Sequence, residues 1–169
     1  MARTPREVSE PAERTGTDGT GRASGREGLL TLNVRGFGFV VTPGEEHDVF
    51  IPPGNLGGAM HGDRVRVRTK PSPKGLDGRI VAVLARGVRF VGGQLHVTPD
   101  GSFLESDDER LRMPIRIKGK LPEGAHTGLG AIAKVLAYPE RDGDPLEVKV
   151  IEVFEPEAFV QYEIRRILL

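Results

Sequence analysis

Turn-forming residues interrupt the apolar sequence at short intervals, and this spacing restricts the fold more than any other feature of the chain. The 169 residues include 23 glycines and 13 prolines, which disfavour long helices and favour short strands joined by turns. Apolar segments of strand length lie between these turns. The first group comprises residues 29–34, 37–42, 49–52, 64–69 and 79–85, and the second comprises 90–97, 102–105, 114–118, 131–138 and 146–153. The sequence therefore predicts an all-β fold.

The two groups of segments share one spacing, which indicates an internal repeat. In the first group a longer connection separates the third strand from the fourth, as in five-stranded OB-type barrels. We therefore predict two tandem five-stranded OB-type barrels, at residues 27–87 and 88–154. Residues 1–26 carry few large apolar side chains and are predicted to be a disordered tail. Residues 155–169 are predicted to be a C-terminal connector, for which helical and extended forms both fit the pattern.

Two short aromatic segments carry the strongest functional signal. Residues 35–40 read Arg-Gly-Phe-Gly-Phe-Val, and residues 48–52 read Asp-Val-Phe-Ile-Pro. Phe37 and Phe39 are two residues apart on a predicted strand, so their rings leave the strand on the same side. Phe50 can join them from a neighbouring strand, and three rings on one sheet face can stack unpaired bases.

A position in the core is the alternative for these rings, because phenylalanine is more often buried than exposed. In the same segment, however, Val40 points to the opposite face and can supply the core. The ring face is therefore free to form a binding platform, with Arg35 at its edge.

Positive charge is concentrated in the same part of the chain as the rings. The formal net charge is zero, yet residues 28–90 hold nine basic and five acidic side chains, whereas residues 91–169 hold ten basic and fourteen acidic ones. The segment Arg64, Val65, Arg66, Val67, Arg68 alternates, which predicts buried valines and three outward arginines with no acid on their face. Such a face can track phosphates, and an ordinary solvated strand face is the alternative.

The sequence offers no catalytic or metal site of a familiar kind. It contains no cysteine, which excludes disulfides and cysteine-ligated metals. Asp107 and Asp108 are adjacent and would point to opposite sides of a strand. No nucleophile motif or phosphate-binding glycine loop is present, and the histidines show no ligand spacing; these are His47, His61, His96 and His126. We expect no catalytic residue, no metal and no cofactor in this chain.

The sequence also gives no sign of a membrane or secretory protein. The longest apolar stretch in the middle of the chain, residues 80–85, is too short to span a bilayer. The N-terminus lacks the apolar core of a secretion signal. A cytoplasmic protein with no membrane partner is expected.

The aromatic segments also resemble a known family. Residues 35–40 resemble the first ribonucleoprotein motif of cold-shock domains, and residues 49–52 resemble the second. The Phe-Ile-Pro ending and the Leu-Gly-Gly-Ala-Met-His-Gly-Asp-Arg-Val at residues 56–65 are similar to the pair of cold-shock domains at the front of bacterial ribonuclease R, a processive 3′-to-5′ exoribonuclease of the ribonuclease II family. The resemblance covers roughly residues 28–169 and is strongest up to about residue 86. It implies two cold-shock-like barrels, with a magnesium-dependent catalytic domain expected after residue 169 and therefore outside this chain.

The second predicted barrel is a degenerate copy of the first as a binding surface. Phe103 is the single ring where the first barrel has its Gly-Phe-Gly-Phe pattern, and residues 115–117 contain none. Residues 107–109 make a neighbouring loop acidic, which disfavours contact with phosphate. Arg116 and Lys118 remain able to contact RNA.

Together these observations predict a single-stranded RNA-binding module similar to the RNA-guiding part of ribonuclease R. A stand-alone cold-shock-like RNA chaperone is an alternative, as is a protein-interaction module that uses the acidic second barrel and the apolar end of the chain. Whether the chain belongs to an enzyme stays open, and a nuclease domain or another protein is a further expected partner. The chain has no tryptophan, so its platform is smaller than that of cold-shock proteins. The predicted RNA-binding residues are Arg35, Phe37, Phe39, Phe50, Arg64, Arg66, Arg68, Phe103 and Arg116.

Overall fold

A computed structural model describes residues 25–155. The predicted disordered tail and the predicted connector lie outside these residues, apart from the residues at their inner ends. The described part of the chain contains no helix that is long and apolar enough to cross a membrane.

Residues 26–85 form a closed five-stranded barrel. Its strands are β1 (Arg26–Leu32), β2 (Gly38–Val41), β3 (Val49–Ile51), β4 (Arg64–Ser72) and β5 (Gly75–Ala85). The order around the barrel is β1-β2-β3-β5-β4, and β4 closes it by pairing with β1. The pair β3 and β5 is parallel, and the other pairs are antiparallel.

Residues 90–154 form a second closed barrel with the same topology. Its strands are β6 (Phe90–Thr98), β7 (Gly101–Ser106), β8 (Ile115–Ile117), β9 (Gly130–Ala137) and β10 (Leu146–Phe154). The order β10-β8-β7-β6-β9 closes through the antiparallel pair β9 and β10, and β8 runs parallel to β10. The predicted fold class, two tandem five-stranded barrels, is therefore confirmed.

Alternation of apolar and polar residues builds the core of the first barrel. In β1 the side chains of Leu30 and Leu32 are buried, whereas Leu29 and Thr31, which alternate with them, are exposed. Strands β2 to β4 follow the same period of two, which places their inward residues in one cluster and leaves their outward residues as a continuous surface. The inward residues are Val40, Val49, Ile51, Val65 and Val67.

The β4–β5 connection differs from the sequence prediction. A turn was expected over residues 71–78, but β4 continues to Ser72 and β5 starts at Gly75, which leaves a two-residue connection. Gly75 has a φ of 127°, a conformation that glycine adopts without steric cost. Beyond residue 67, β4 pairs with β5 alone, so Pro71 does not interrupt a second ladder. The prolines therefore shape a tight hairpin instead of a long turn.

The loop between β3 and β4 joins the two barrels. Met60, which precedes β4, is fully buried and packs in the core of the second barrel, against residues such as Leu95 and Leu146. The carboxylate of Asp142, in the β9–β10 connection, accepts hydrogen bonds from the backbone N–H groups of Leu56 (3.2 Å) and Gly58 (3.0 Å). The loop thus fixes one barrel against the other.

Arg86, between β5 and β6, is the centre of a second set of contacts at this junction. Its guanidinium donates to the buried carboxylate of Asp63 (2.9 Å) and to the carbonyls of Gly58 (3.0 Å) and Pro139 (3.3 Å). It also lies 4.4 Å from the ring centroid of Tyr138, a cation–π distance. Arg86 is one of the nine basic residues counted in the basic segment 28–90. In the structure its charge holds the two barrels together.

Candidate nucleic-acid interface

Three phenylalanine rings form a cluster on the outside of the first barrel. The ring centroids of Phe39 and Phe50 are 5.6 Å apart, those of Phe37 and Phe50 are 5.8 Å apart, and those of Phe37 and Phe39 are 6.0 Å apart. The rings are tilted or edge-to-face to one another, so each presents part of a π-face outward. The structure brings the three predicted platform rings together.

Strand register explains why the rings meet. Phe39 of β2 lies directly opposite Phe50 of β3, both on the outward side of the barrel. Phe37 lies in the turn before β2 and completes the cluster from the end of the sheet. Phe39 remains 41% exposed, so the rings are not part of the barrel core and a flat ligand has access to them.

Arg35 lies in the tight turn between β1 and β2, which precedes the ring cluster along the chain. The Arg35 backbone N–H donates to the Asn33 side chain at 2.9 Å, and the N–H of Gly36 donates to the Asn33 carbonyl at 3.0 Å. Gly36 has a φ of 89°, in the left-handed region that favours glycine. The turn therefore fixes the backbone of Arg35 two residues before Phe37, and its contact with RNA stays a prediction.

The strand of alternating arginines is arranged as predicted, but its face is not free of acid. Val65 and Val67 are fully buried and Arg64, Arg66 and Arg68 are exposed. Closing the barrel places Glu27 of β1 opposite Arg66, with ion-pair distances of 2.6 Å to Arg66 and 3.4 Å to Arg64.

This contact changes the electrostatics of the arginine face. The hydrogen bond from Arg66, followed by the nearby positive charges of Arg66 and Arg64, lowers the pKa of Glu27 below its usual range. The expectation of an acid-free face is therefore wrong, because β1 contributes an acid from 37 residues away in sequence. Among residues 25–155, Arg68 has no ion-pair partner and is the arginine of this strand whose charge is unbalanced.

The second barrel carries a ring pair that sequence reasoning missed. His96 of β6 lies opposite Phe103 of β7, and their rings stack with centroids 4.6 Å apart and planes 3° apart. Arg116 of β8 lies opposite Phe103 on its other side. The sequence gives His96 no distinguishing pattern, and only the register between β6 and β7 shows that it extends the surface of Phe103. The second barrel thus keeps a two-ring stack beside an arginine.

Charge around this second stack is mixed. The His96 ring lies 2.9 Å from the Glu105 carboxylate, and Lys118 pairs with Glu147 at 3.1 Å. Asp108 is held by Arg110 through two contacts of 2.8 Å, and this hydrogen bonding lowers the pKa of the Asp108 carboxyl. The acidic loop is therefore partly neutralised from within.

No metal-binding group is found among residues 25–155: no three His, Asp or Glu side chains of this range lie close enough together to hold an ion.

Comparison with known proteins relates the chain to one family of nucleases. Residues 28–83 match the model of the Ribonuclease B OB domain family. Ribonuclease R of Thermotoga maritima is 33% identical over 116 residues, which is 68% of this chain and 16% of that protein. The motif-based resemblance to the N-terminal domains of ribonuclease R is thereby confirmed.

Solved structures show the same fold. Mycoplasma genitalium RNase R in complex with ribose methylated single-stranded RNA superposes with a TM-score of 0.72 at 18% identity, covering 81% of this chain and 23% of that one. Yeast Ssd1, a pseudonuclease, superposes with a TM-score of 0.66 at 16% identity, covering 80% of this chain and 24% of that one. The chain thus spans less than a quarter of the length of these relatives.

Proposed function

Because the chain is similar to the N-terminal region of ribonuclease R, we propose that it is a single-stranded RNA-binding module that guides RNA within a 3′-to-5′ exoribonuclease. The observation that carries this proposal is the exposed cluster of Phe37, Phe39 and Phe50, with all three centroids within 6.0 Å of one another. Rings in this arrangement stack on bases whatever their identity, and each stacked base contributes about 1–3 kcal/mol. The bound single-stranded RNA in the Mycoplasma genitalium enzyme supports RNA as the ligand.

Arginines of the same barrel supply the second part of the proposal. Arg35 at the edge of the cluster and Arg68 on β4 contact phosphates, while Arg64 and Arg66 do so less strongly because Glu27 competes for them. On the second barrel, Phe103 and Arg116 form a weaker contact. Binding of this kind weakens as salt is added, because the bound phosphates release counterions.

Hydrolysis itself is assigned to a catalytic region elsewhere in a longer protein, and magnesium would act there. Within such a protein the two barrels would hold the strand before it enters the catalytic region. We place the protein in the cytoplasm, where its RNA substrates would be found.

Fluorescence anisotropy with a labelled U-rich oligonucleotide tests this function. Phe39→Ala should weaken binding by roughly fivefold to a hundredfold, the equivalent of one lost stacking contact. Leu136→Ala is the matched control, because Leu136 is an exposed apolar residue on β9, outside the ring cluster. Equal affinities for the two variants and the wild type would refute the ring platform.

Salt dependence separates RNA binding from a protein-interaction role. If RNA is the ligand, affinity should fall steeply between low and physiological salt. An affinity that does not change with salt concentration would instead indicate that the ligand is a protein.

A further inference from the structure

A cleft of about 330 Å³ opens between the two barrels, and Gly36, the residue before Phe37, lines it. Three separate loops contribute arginines to its lining: Arg35 from the β1–β2 turn, Arg112 from the β7–β8 connection and Arg141 from the β9–β10 connection. Arg110 lines it as well. We refer to this feature as the inter-barrel arginine cleft. It exists only because the two barrels pack side by side.

The positive charge of this cleft is largely unbalanced. Arg110 is neutralised by Asp108, and Asp142, whose carboxylate accepts hydrogen bonds from two backbone N–H groups, adds one negative charge to the lining. Among the described residues, no carboxylate lies within ion-pair distance of the guanidinium groups of Arg35, Arg112 or Arg141. Like charges that converge on one concave surface raise the local concentration of anions there.

The Arg112 guanidinium is held at the boundary between the two barrels. The Arg112 side chain reaches across to the first barrel, where it lies 3.4 Å from the carbonyl of Val34. A Cβ atom at Gly36 would lie 2.9 Å from Nη1 of Arg112. A side chain at position 36 would therefore push the guanidinium away, and glycine leaves room for it.

Residues that line this cleft also lead toward both aromatic sites. Arg35 and Gly36 line it and directly precede Phe37 of the ring cluster along the chain. Met113 lines the inter-barrel cleft and also a larger cleft of about 810 Å³ that runs past Phe103 and Arg116 on the second barrel. The two clefts therefore adjoin at Met113, and the first of them begins at the turn that precedes the ring cluster.

We propose that the inter-barrel arginine cleft binds phosphodiester groups of a single strand and carries that strand from the ring cluster of the first barrel to the stacked rings of the second. This inference rests on the proposed function and adds a site that neither aromatic motif indicates. Guanidinium groups suit the role because their planar fork matches two phosphate oxygens. The phosphates supply negative charge beyond the single carboxylate, that of Asp142, that lines the cleft.

The test compares a tetranucleotide with a dodecanucleotide of uridine, using the full chain. The short strand covers little more than the rings, whereas the long strand also crosses the cleft. Arg141→Gln is the primary variant, because its guanidinium makes no described contact between the barrels. Arg112→Gln and Arg112→Lys form a pair, in which lysine keeps the charge. Arg89→Gln is the matched control, since Arg89 is exposed and does not line the cleft.

Arg141→Gln should weaken binding of the long strand by roughly threefold to tenfold and lower the slope of log affinity against log salt by about 0.7. Binding of the tetranucleotide should stay the same. Arg112→Gln should weaken binding of the long strand as Arg141→Gln does, whereas Arg112→Lys should recover most of the affinity. Arg89→Gln should bind both strands with the affinity of the wild type.

Two results would overturn the assignment in distinguishable ways. If Phe39→Ala weakens both strands while the arginine variants bind the long strand like wild type, the cleft does not bind phosphate and the proposed function stands. If neither strand binds, or Phe39→Ala has no effect on either, the proposed function fails and the cleft assignment fails with it.

Discussion

Asp63 and Arg86 form an ion pair with a distance of 2.9 Å at the junction of the two barrels, and the side chain of Asp63 is completely buried. The same carboxylate accepts hydrogen bonds from the backbone N–H groups of Met60 (2.8 Å) and Gly87 (2.9 Å). A buried charge is tolerated when it is paired and fully hydrogen-bonded. The pair therefore fixes the loop before β4 and the linker after β5 in one arrangement.

Replacement of Asp63 by alanine should strongly destabilise the protein. It leaves the Arg86 guanidinium at the junction without its partner and frees two backbone donors, and loss of one member of a buried pair costs about 3–5 kcal/mol. Urea unfolding followed by circular dichroism measures the change. Glu123→Ala, at an exposed turn position, provides the control and should leave the unfolding midpoint where it is. A midpoint for Asp63→Ala equal to that of the control would show that the pair is not structural.

Met60→Ala should destabilise the second barrel although residue 60 belongs to the sequence of the first. Met60 is fully buried among second-barrel residues, and truncation of a buried methionine to alanine costs about 2–5 kcal/mol. Hydrogen exchange resolved by strand measures the effect. Protection should fall in β6, β9 and β10, and Val41→Ala, an exposed site on β2, should leave it unchanged. A loss confined to the first barrel would contradict the packing described.

Stability should fall as the pH drops below about 6.5, because of His61. Nδ1 of His61 accepts a hydrogen bond from the Leu32 N–H at 3.1 Å, so this atom carries no proton in the folded state. Burial, and then the charge of Arg110, lowers the pKa of His61 below its usual value near 6.5. A lowered folded pKa means that the unfolded chain binds the proton first, and stability is lost from about pH 6.5 downward to the folded pKa.

The His61→Asn variant separates this effect from other acid effects. Asparagine keeps an acceptor near the position of Nδ1 and does not titrate. Its free energy of unfolding, measured by urea titration between about pH 7 and pH 5, should depend less on pH than that of wild type. His47→Asn, in an exposed loop, should retain the wild-type slope. Identical slopes for all three proteins would exclude His61 as the origin. The ion pair of Asp108 affects the stability of the fold in a separate and lower pH range than His61 does. The reason is that the pKa of the Asp108 carboxyl is lowered from a usual value near 3.9.

Glu27→Gln should strengthen RNA binding at low salt. Removal of this carboxylate frees the guanidinium groups of Arg64 and Arg66 to contact phosphate. One additional phosphate contact should raise affinity by roughly twofold to fivefold and steepen the salt dependence. Glu123→Gln makes the same change of charge on the second barrel and should give a smaller gain. Equal gains for the two variants would mean that only net charge matters and that the arginine strand has no particular role.

Local pattern was enough to predict the strands and the rings. Strand positions follow from a period of two and from turn residues, both of which depend on neighbours in sequence. The outward placement of Phe39 follows from the inward placement of Val40 by the same rule. The hairpin at residues 71–78 was misread, because a cluster of proline and glycine residues is compatible both with an open turn and with a tight hairpin.

The contacts that determine the charge and shape of the site could not be predicted from the local sequence pattern. Glu27 reaches Arg66 because β1 closes the barrel against β4, and His96 stacks on Phe103 because of the register of β6 against β7. Both depend on which residues lie opposite each other across strands, and alternation within a strand leaves that choice open.

The sequence by itself determined the two barrels, the three rings and the concentration of basic residues near them, since each depends on local alternation and composition. Tertiary structure alone decided which arginines are neutralised, and it alone brought Arg35, Arg112 and Arg141 to one cleft. The physical reason is that the electrostatic field at a surface depends on distances in space, which are set by barrel closure and by the packing of Met60 and Arg86 at the junction.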